Sequence, residues 1–467
     1  MESAPPIVEA AVDTPRPDPL PVALESPVAK GIGGGLAVVF AIGVLLALVH
    51  QCREHYPLLN NEGDWAVYYR AGAAMAHRLP IYTLEHGELL TFKNAPVVAL
   101  LIAPLTLLPP FAARAVWFMG DLGLFACIFV LCQWILPAGD GRRGRQMRAW
   151  VGLGTWFLVD RFLMFQLGAG TNAALYIALC IAACWWAARG RAAAAGAALA
   201  GAVFLKVVPI CLLPYLLLHR RPAIGLASFA TTAVALALLP AAWIGWDANR
   251  QLLAEWPRHL RDTDSPAQNA RPTNQSILAL ISRTIGPEQF GRDGKDPAAL
   301  RPTERYRPHI YLSAATVQRV WLALGVAVAA ALCALLWRTR PSAATIPARN
   351  AATNAMHISL LLIYMTLFNP LAWRYNFIAL LVPYYFVLNT IWHHPGRRKP
   401  LAWMVATAYV LIWVPMSVRG MPWLDAFQIY GARAWGTLVL AAAVGVAWRT
   451  ATRDAAPDVG NSAVVRP

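Results

Sequence analysis

Residues Gly63–Pro109 read GDWAVYYRAGAAMAHRLPIYTLEHGELLTFKNAPVVALLIAPLTLLP. An acid, Asp64, stands shortly after a membrane-length apolar run that ends near His50. A segment with paired tyrosines, Tyr68 and Tyr69, follows, and an apolar helix punctuated by Pro96, Pro104 and Pro109 closes the stretch. Trp65, Tyr68, Tyr69 and Gly72 to Met75 fit one face of a short interfacial helix, with Arg70, His77 and Arg78 on the other. An ionisable group at a membrane face is costly to keep there, so Asp64 invites a functional reading.

The composition around this stretch has the same character. The chain has 467 residues, of which 58% are hydrophobic and only 14% charged, well away from soluble domains. The reading is all-α: a polytopic integral membrane helical bundle of about 10–12 transmembrane helices with two periplasmic loop regions. Nineteen tryptophans and fourteen tyrosines suit aromatic belts at the membrane surfaces. The net charge of +16 is spread over loops between apolar runs, as the positive-inside bias requires, and nucleic acid is excluded as a partner. Six of the seven cysteines lie inside apolar runs without metal-site spacing, and they read as small core residues.

Residues 1–29 are rich in Pro, Ala and acids and form a disordered cytoplasmic tail. Residues 30–450 make the transmembrane domain, with 51–93 as first periplasmic loop and 246–311 as the large one; 451–467 is a second cytoplasmic tail. Both termini are expected inside. Residues 95–136 hold two apolar segments separated by Pro109 and Pro110. Arg142, Arg143, Arg145 and Arg148 mark the next loop, whose side stays open, because charge and the count of crossings disagree. The run 192–218 is interrupted by Lys206 and Pro209; it is either two half-helices that dip in and return, or one long span.

Taken together these residues resemble the GT-C superfamily of membrane glycosyltransferases. They are most similar to the polyprenyl-phosphate-mannose-dependent α-mannosyltransferases that include the phosphatidylinositol mannoside enzymes. The resemblance covers roughly residues 60–390. It is carried by Asp64 after the first span, Tyr68-Tyr69, Leu79-Pro80-Ile81-Tyr82, Phe92, Pro96 and the PLTLLP exit at Pro104–Pro109. Further on it rests on Asn172 in GAGTN, Lys206 with Pro209, Asn274-Gln275-Ser276-Ile277, and Asn369-Pro370-Leu371-Ala372-Trp373. Two positions depart from the family pattern: Gly170 replaces a glutamine, and Arg374-Tyr375 follow Trp373 where a histidine is frequent.

The resemblance implies a GT-C-like enzyme of the inner membrane with its active site facing the periplasm. A hexose, with mannose first, passes with inversion from a polyprenyl-phosphate donor to a lipid or glycan acceptor, without metal or other cofactor. Asp64 is then the general base, and Lys206, Arg374, Lys93 and Arg271 hold the donor phosphate. Tyr68, Tyr69, Asn94, Asn172, Asn274, Gln275, Ser276, Trp373 and Tyr375 contact substrate. Membrane lipids surround the bundle.

Residue chemistry alone leaves alternatives beside each role. Asp64 is equally suited to cap a helix. Lys206 within an apolar run either faces a protein cavity or snorkels to an interface. Arg374 is a two-pronged phosphate ligand or an interfacial anchor, and Lys93 and Asn94 line a cavity or sit at the interface. Asn274, Gln275 and Ser276 bind sugar hydroxyls or cap the helix that starts at Ile277. Asp262-Thr263-Asp264 looks like a metal-binding DxD, but lacks its usual surroundings, and His77, His86 and His259 lack ligand spacing. A transporter or flippase of a polyprenyl-linked or lipid substrate is the alternative of another class, and would want charge deep in several spans, where this chain has Lys206 and, at most, Asp121 and Asp160. A non-catalytic scaffold is the third.

Overall fold

A computed structural model describes residues 64–82, 91–136, 141–219, 221–262, 270–287, 290–291, 305–306, 310–341, 347–417 and 427–453. The first span, Thr263, Asp264 and His86 lie outside the described residues. The regular secondary structure of the described residues is helical apart from Phe290 and Gly291, which pair antiparallel with Tyr306 and Arg305. Helices α1 (Asp64–Ala76), α2 (Pro96–Ile102), α3 (Pro110–Ile135), α4 (Gly141–Ala169), α5 (Ala173–Ala188) and α6 (Ala192–Leu205) form the first half. After α7 (Leu213–Leu217) come α8 (Pro222–Leu238), α9 (Ala241–Ile244), α10 (Trp246–Asp262), α11 (Ile277–Ile285) and α12 (Ala314–Arg338). Helices α13 (Pro347–Leu367), α14 (Leu381–His393), α15 (Arg398–Ser417) and α16 (Ala432–Arg453) complete the bundle.

Five helical segments among the described residues are long and apolar enough to cross a membrane: Pro110–Ile135, Pro222–Ile244, Ala314–Arg338, Arg374–His393 and Ala432–Arg453. Apolar pieces at Pro96–Leu107, Ala173–Ala188, Ala192–Leu205 and Val208–Leu217 are shorter than a span. Burial divides these segments. Helices α8 and α12 expose Ile224, Val234, Leu238, Leu322 and Val326, a face that hydrocarbon solvates and water does not. Helix α14 and the 3₁₀ turn before it bury Phe377, Leu380, Leu381, Tyr384 and Phe386 completely or nearly so, and they form the centre of the bundle.

Proline sets several boundaries. Pro96, Pro110 and Pro222 occupy first helical positions, where a missing N–H costs nothing. Between α2 and α3 the chain tightens into a 3₁₀ turn at Ala103–Leu107. The arginine-rich segment differs from its expected loop: Arg142, Arg143, Arg145 and Arg148 lie in the first turns of α4. Arginine is a good helix former, and at 29 residues α4 is about 44 Å long, so its first turns can reach beyond a hydrocarbon layer of about 30 Å. The run 192–218 is broken: α6 ends at Leu205, Lys206 is extended with φ −158° and ψ 131°, and a 3₁₀ turn at Val208–Leu212 leads into α7. Pro209 lacks the N–H that would continue α6.

Helix α6 lies almost in backbone contact with α8. A Cβ at Gly196 would fall on the Gly225 carbonyl oxygen and 2.8 Å from the Phe229 nitrogen, and Ser228 Oγ donates to the Ala193 carbonyl at 2.7 Å. Small residues permit this approach and gain its packing. Gly196→Val is expected to force the helices apart and cost about 3 kcal/mol, read as a lower unfolding temperature of the purified protein. An unchanged unfolding temperature would contradict the crossing.

Candidate active site

Helix α1 opens with Asp64 and buries Trp65, Tyr68, Ala71, Gly72 and Met75, so it is embedded more deeply than an interfacial helix with one wet face. Gly72 explains the depth: a Cβ there would lie 2.8 Å from Ile102 Cγ2, which lets α1 settle against the end of α2. Trp65 packs against Trp117 at 5.3 Å between ring centroids, and Tyr68 stacks on the same indole at 6.1 Å. His77 and Arg78 point to the exposed side.

Around Asp64 the structure gathers residues far apart in sequence. Burial pushes its carboxyl up to about 6, while the Lys206 charge and a hydrogen bond from Tyr375 keep it from going higher. Lys206 Nζ donates to Asn376 Oδ1 at 3.0 Å and sits 5.4 Å and 5.7 Å from the ring centroids of Tyr176 and Tyr375, within cation–π range. Tyr176 OH donates to the same Asn376 oxygen at 2.8 Å, and Asn376 Nδ2 donates to the Leu371 carbonyl at 2.8 Å. Lys93 lies close enough for its charge to act on Lys206. The Tyr68 hydroxyl lies within hydrogen-bonding reach of the Asn94 side chain and the Asn172 backbone, and burial beside Asp64 pushes it up from its ordinary value.

The break in α6 is what brings Lys206 here. Asn172 Nδ2 donates to the Leu205 carbonyl at 3.0 Å, so a carbonyl left without a partner by the helix end is satisfied. Asn172 thus holds the bend that aims Lys206. Two residues before Asn172, Gly170 has φ +63°, and a Cβ there would lie 2.5 Å from Arg114 Nη1 and 2.9 Å from Trp65 Cβ. A glutamine at this position would meet both the left-handed turn and the guanidinium. Gln166, one turn earlier, is fully buried, donates to the Thr171 carbonyl at 2.5 Å, accepts from Thr171 Oγ1 and faces the Asp121 carboxylate at 3.3 Å.

A second cluster lies behind the first. Ser276 caps α11 by accepting from Ala279 N at 3.0 Å. Asn274 Nδ2 donates to the Pro370 carbonyl at 2.8 Å, its Oδ1 accepts from Ala372 N at 2.9 Å, and Gln275 N donates to the Ala372 carbonyl at 3.1 Å. Gln275 Nε2 donates to Pro272 O and Gln428 O at 2.6 and 2.7 Å. All three side chains are fully buried; those of Asn274 and Ser276, with the Gln275 backbone N–H, take up backbone groups of residues 370–372, which lead directly into Trp373, Arg374, Tyr375 and Asn376. Arg271 belongs to this cluster: its carbonyl accepts from Arg283 Nη1 at 2.9 Å.

Arg374 lies with its guanidinium carbon 5.3 Å from the Phe165 ring centroid, while Tyr375 stacks on the same ring at 6.3 Å. Trp373 caps the 3₁₀ turn Arg374–Leu380. Tyr69 points away and donates to the Leu108 carbonyl at 3.3 Å. Helix α10 covers the α2 end of the site: Trp256 Nε1 donates to the Lys93 carbonyl at 3.1 Å, and His259 packs on Tyr82 at 5.1 Å. Among the described residues no group of three His, Cys, Asp or Glu side chains converges. The sequence reading missed Asn376, Tyr176, Arg283 and Arg433. None belongs to a spaced motif, and a buried arginine announces itself in sequence only as one more loop cation.

A carboxylate raised towards neutrality, a lysine beside it and a wall of tyrosines can take a proton from a hydroxyl and face an anion. The family model for glycosyltransferase family 87 matches residues 92–370, well over half of the chain. The chain belongs to glycosyltransferase family 87. It is therefore a membrane glycosyltransferase acting on a sugar donor and an acceptor, and the transporter and scaffold alternatives give way. Neither the curated proteins nor the solved structures contain a match. The family 87 match takes in Lys93, Asn94, Asn172, Lys206 and the Asn274–Ser276 clamp, whereas Asp64 and the Trp373–Asn376 turn lie beyond its ends.

Proposed function

We propose that this enzyme has the GT-C architecture and transfers a hexose, mannose first, from a polyprenyl-phosphate donor to a lipid or glycan acceptor. It would do so at the periplasmic face of the inner membrane and with inversion. The observation that carries the proposal is the convergence of Asp64, Lys206 and Tyr375 at the α1 entrance. The acceptor oxygen attacks the anomeric carbon, the bond from that carbon to the phosphate oxygen breaks, and polyprenyl phosphate leaves. The acceptor proton passes to Asp64. A basic carboxylate suits the proton transfer, and Lys206, with Lys93 and Arg374 at the margins, suits the charge that grows on the departing phosphate.

Tyr68, Asn94 and Tyr375 contribute the polar lining for the sugar. The Asn274–Ser276 clamp and Asn172 act through the residues they hold: the first positions Tyr375 and Asn376, and the second positions Lys206. Arg271 is tied into the clamp by its backbone carbonyl, and its guanidinium remains a proposed donor-phosphate ligand. The test is transfer of radiolabel from polyprenyl-phosphate-mannose into host lipid extract by purified enzyme in liposomes. A labelled acceptor band supports the donor and sugar together. Labelling only from another polyprenyl-linked sugar overturns mannose, and labelling only from nucleotide sugars overturns the lipid donor.

A further inference from the structure

Arg433, in the first turn of α16, is 1% exposed, and its Nε, Nη1 and Nη2 all lack a hydrogen-bond partner among the described residues. Among the described residues the charged groups that act on it are Arg374, Arg161 and Arg283, all of its own sign. Helix α16 is 22 residues long, so its N-terminal amide groups add positive potential at the same place. Buried charges are ordinarily paired, and here three further cations surround the unpaired one.

The surroundings are rigid. Arg283 Nε donates to the Ile429 carbonyl at 2.6 Å and its Nη1 to the Asn274 carbonyl at 2.8 Å, which ties the turn before α16 to the clamp. Gly431, with φ +78°, packs against Leu280 of α11. Arg161 lies over the Trp413 ring at 5.4 Å, one turn of α4 from the Phe165 ring that Arg374 covers. Arg374, whose charge acts on Arg433, is followed directly by Tyr375, which bonds to Asp64.

We propose that Arg433, with Arg374 and the N-terminal end of α16, forms the buried seat of a phosphate group, that of the lipid-linked substrate. A phosphate accepts two parallel N–H bonds from a guanidinium and more from helix amides. It offers the negative charge that the Arg433 guanidinium lacks among the described residues. That the phosphate is carried by an isoprenoid rests on the proposed function; the seat itself rests on Arg433.

The test is titration of the purified protein in nanodiscs, followed by tryptophan fluorescence. The probes are a long-chain polyprenyl monophosphate without sugar, the matching polyprenol, and inorganic phosphate as competitor. Wild type is expected to bind the monophosphate, and R433Q to bind it roughly ten- to a hundredfold more weakly. Competition by inorganic phosphate supports the seat and extends its occupants to free phosphate; failure to compete supports the seat and confines it to the lipid headgroup. Equal affinity of wild type and R433Q, or polyprenol binding as tightly as its phosphate, overturns it. Should R433Q not fold, R433K keeps the charge without the fork and is expected at about a tenfold loss; wild-type affinity there overturns the proposal. Arg433-dependent binding without transfer from polyprenyl-phosphate-mannose removes the proposed donor and keeps the seat. Transfer with unchanged binding by R433Q does the reverse.

Discussion

Asp64→Asn is expected to lower the turnover of sugar transfer by roughly 10²- to 10⁴-fold while leaving the protein folded and the Michaelis constants nearly unchanged. Asparagine keeps the size of the side chain, accepts a bond from Tyr375 through its oxygen, and still suits the first position of a helix. What it lacks is the ability to take a proton. If Asp64 only starts α1, the loss should appear in stability and not in turnover, because the asparagine preserves capping. Unfolding temperature and turnover of the purified variant, measured side by side, separate the two. Full turnover with an intact fold sinks the base assignment.

Lys206→Met is expected to shift the pH dependence as well as the rate. In the wild type the Asp64 carboxyl is held at about 6, so the reactive carboxylate form fills as pH rises through that value, and transfer should rise with it. Lys206 is the charge that holds Asp64 down against burial. Without it the carboxyl moves higher, the rising limb moves to higher pH, and less base is available at neutrality. The expected result is at least about a tenfold loss at pH 7, partly recovered at higher pH. The loss of a cation near the departing phosphate remains at every pH. A pH profile superimposable on the wild type would show that Lys206 does not act on Asp64. A loss confined to the Michaelis constant for the donor would leave it as a binding residue alone.

Much of this architecture is legible in the chain. Apolar runs of membrane length, proline punctuation at Pro96, Pro110 and Pro222, and scarcity of charge determine a helical membrane bundle, because hydrocarbon leaves the backbone few other ways to satisfy its hydrogen bonds. Asp64 and Lys206 stand out in the sequence because ionisable groups are expensive at a membrane face or within an apolar run, whereas Asn172 and Tyr375 are picked out only by the family resemblance. What the sequence by itself did not determine is how these residues are shared out. Lys206 reads equally as a snorkelling cation, and only the extended backbone at 206, held by Asn172 on the Leu205 carbonyl, turns it towards Asn376 and Asp64. Asn274, Gln275 and Ser276 carry the hydrogen-bonding groups of a sugar site, yet their partners are the backbone of residues 370–372 and of Pro272 and Gln428. Arg433 looks like an interfacial arginine until α11, α16 and the turn at Gly431 close around it. Burial and partnership depend on contacts between residues one or two hundred positions apart, such as Tyr176 with Asn376. Local pattern, which acts over a few turns of helix, carries no information about them; the tertiary structure alone decides which polar group meets another and which is left for a ligand.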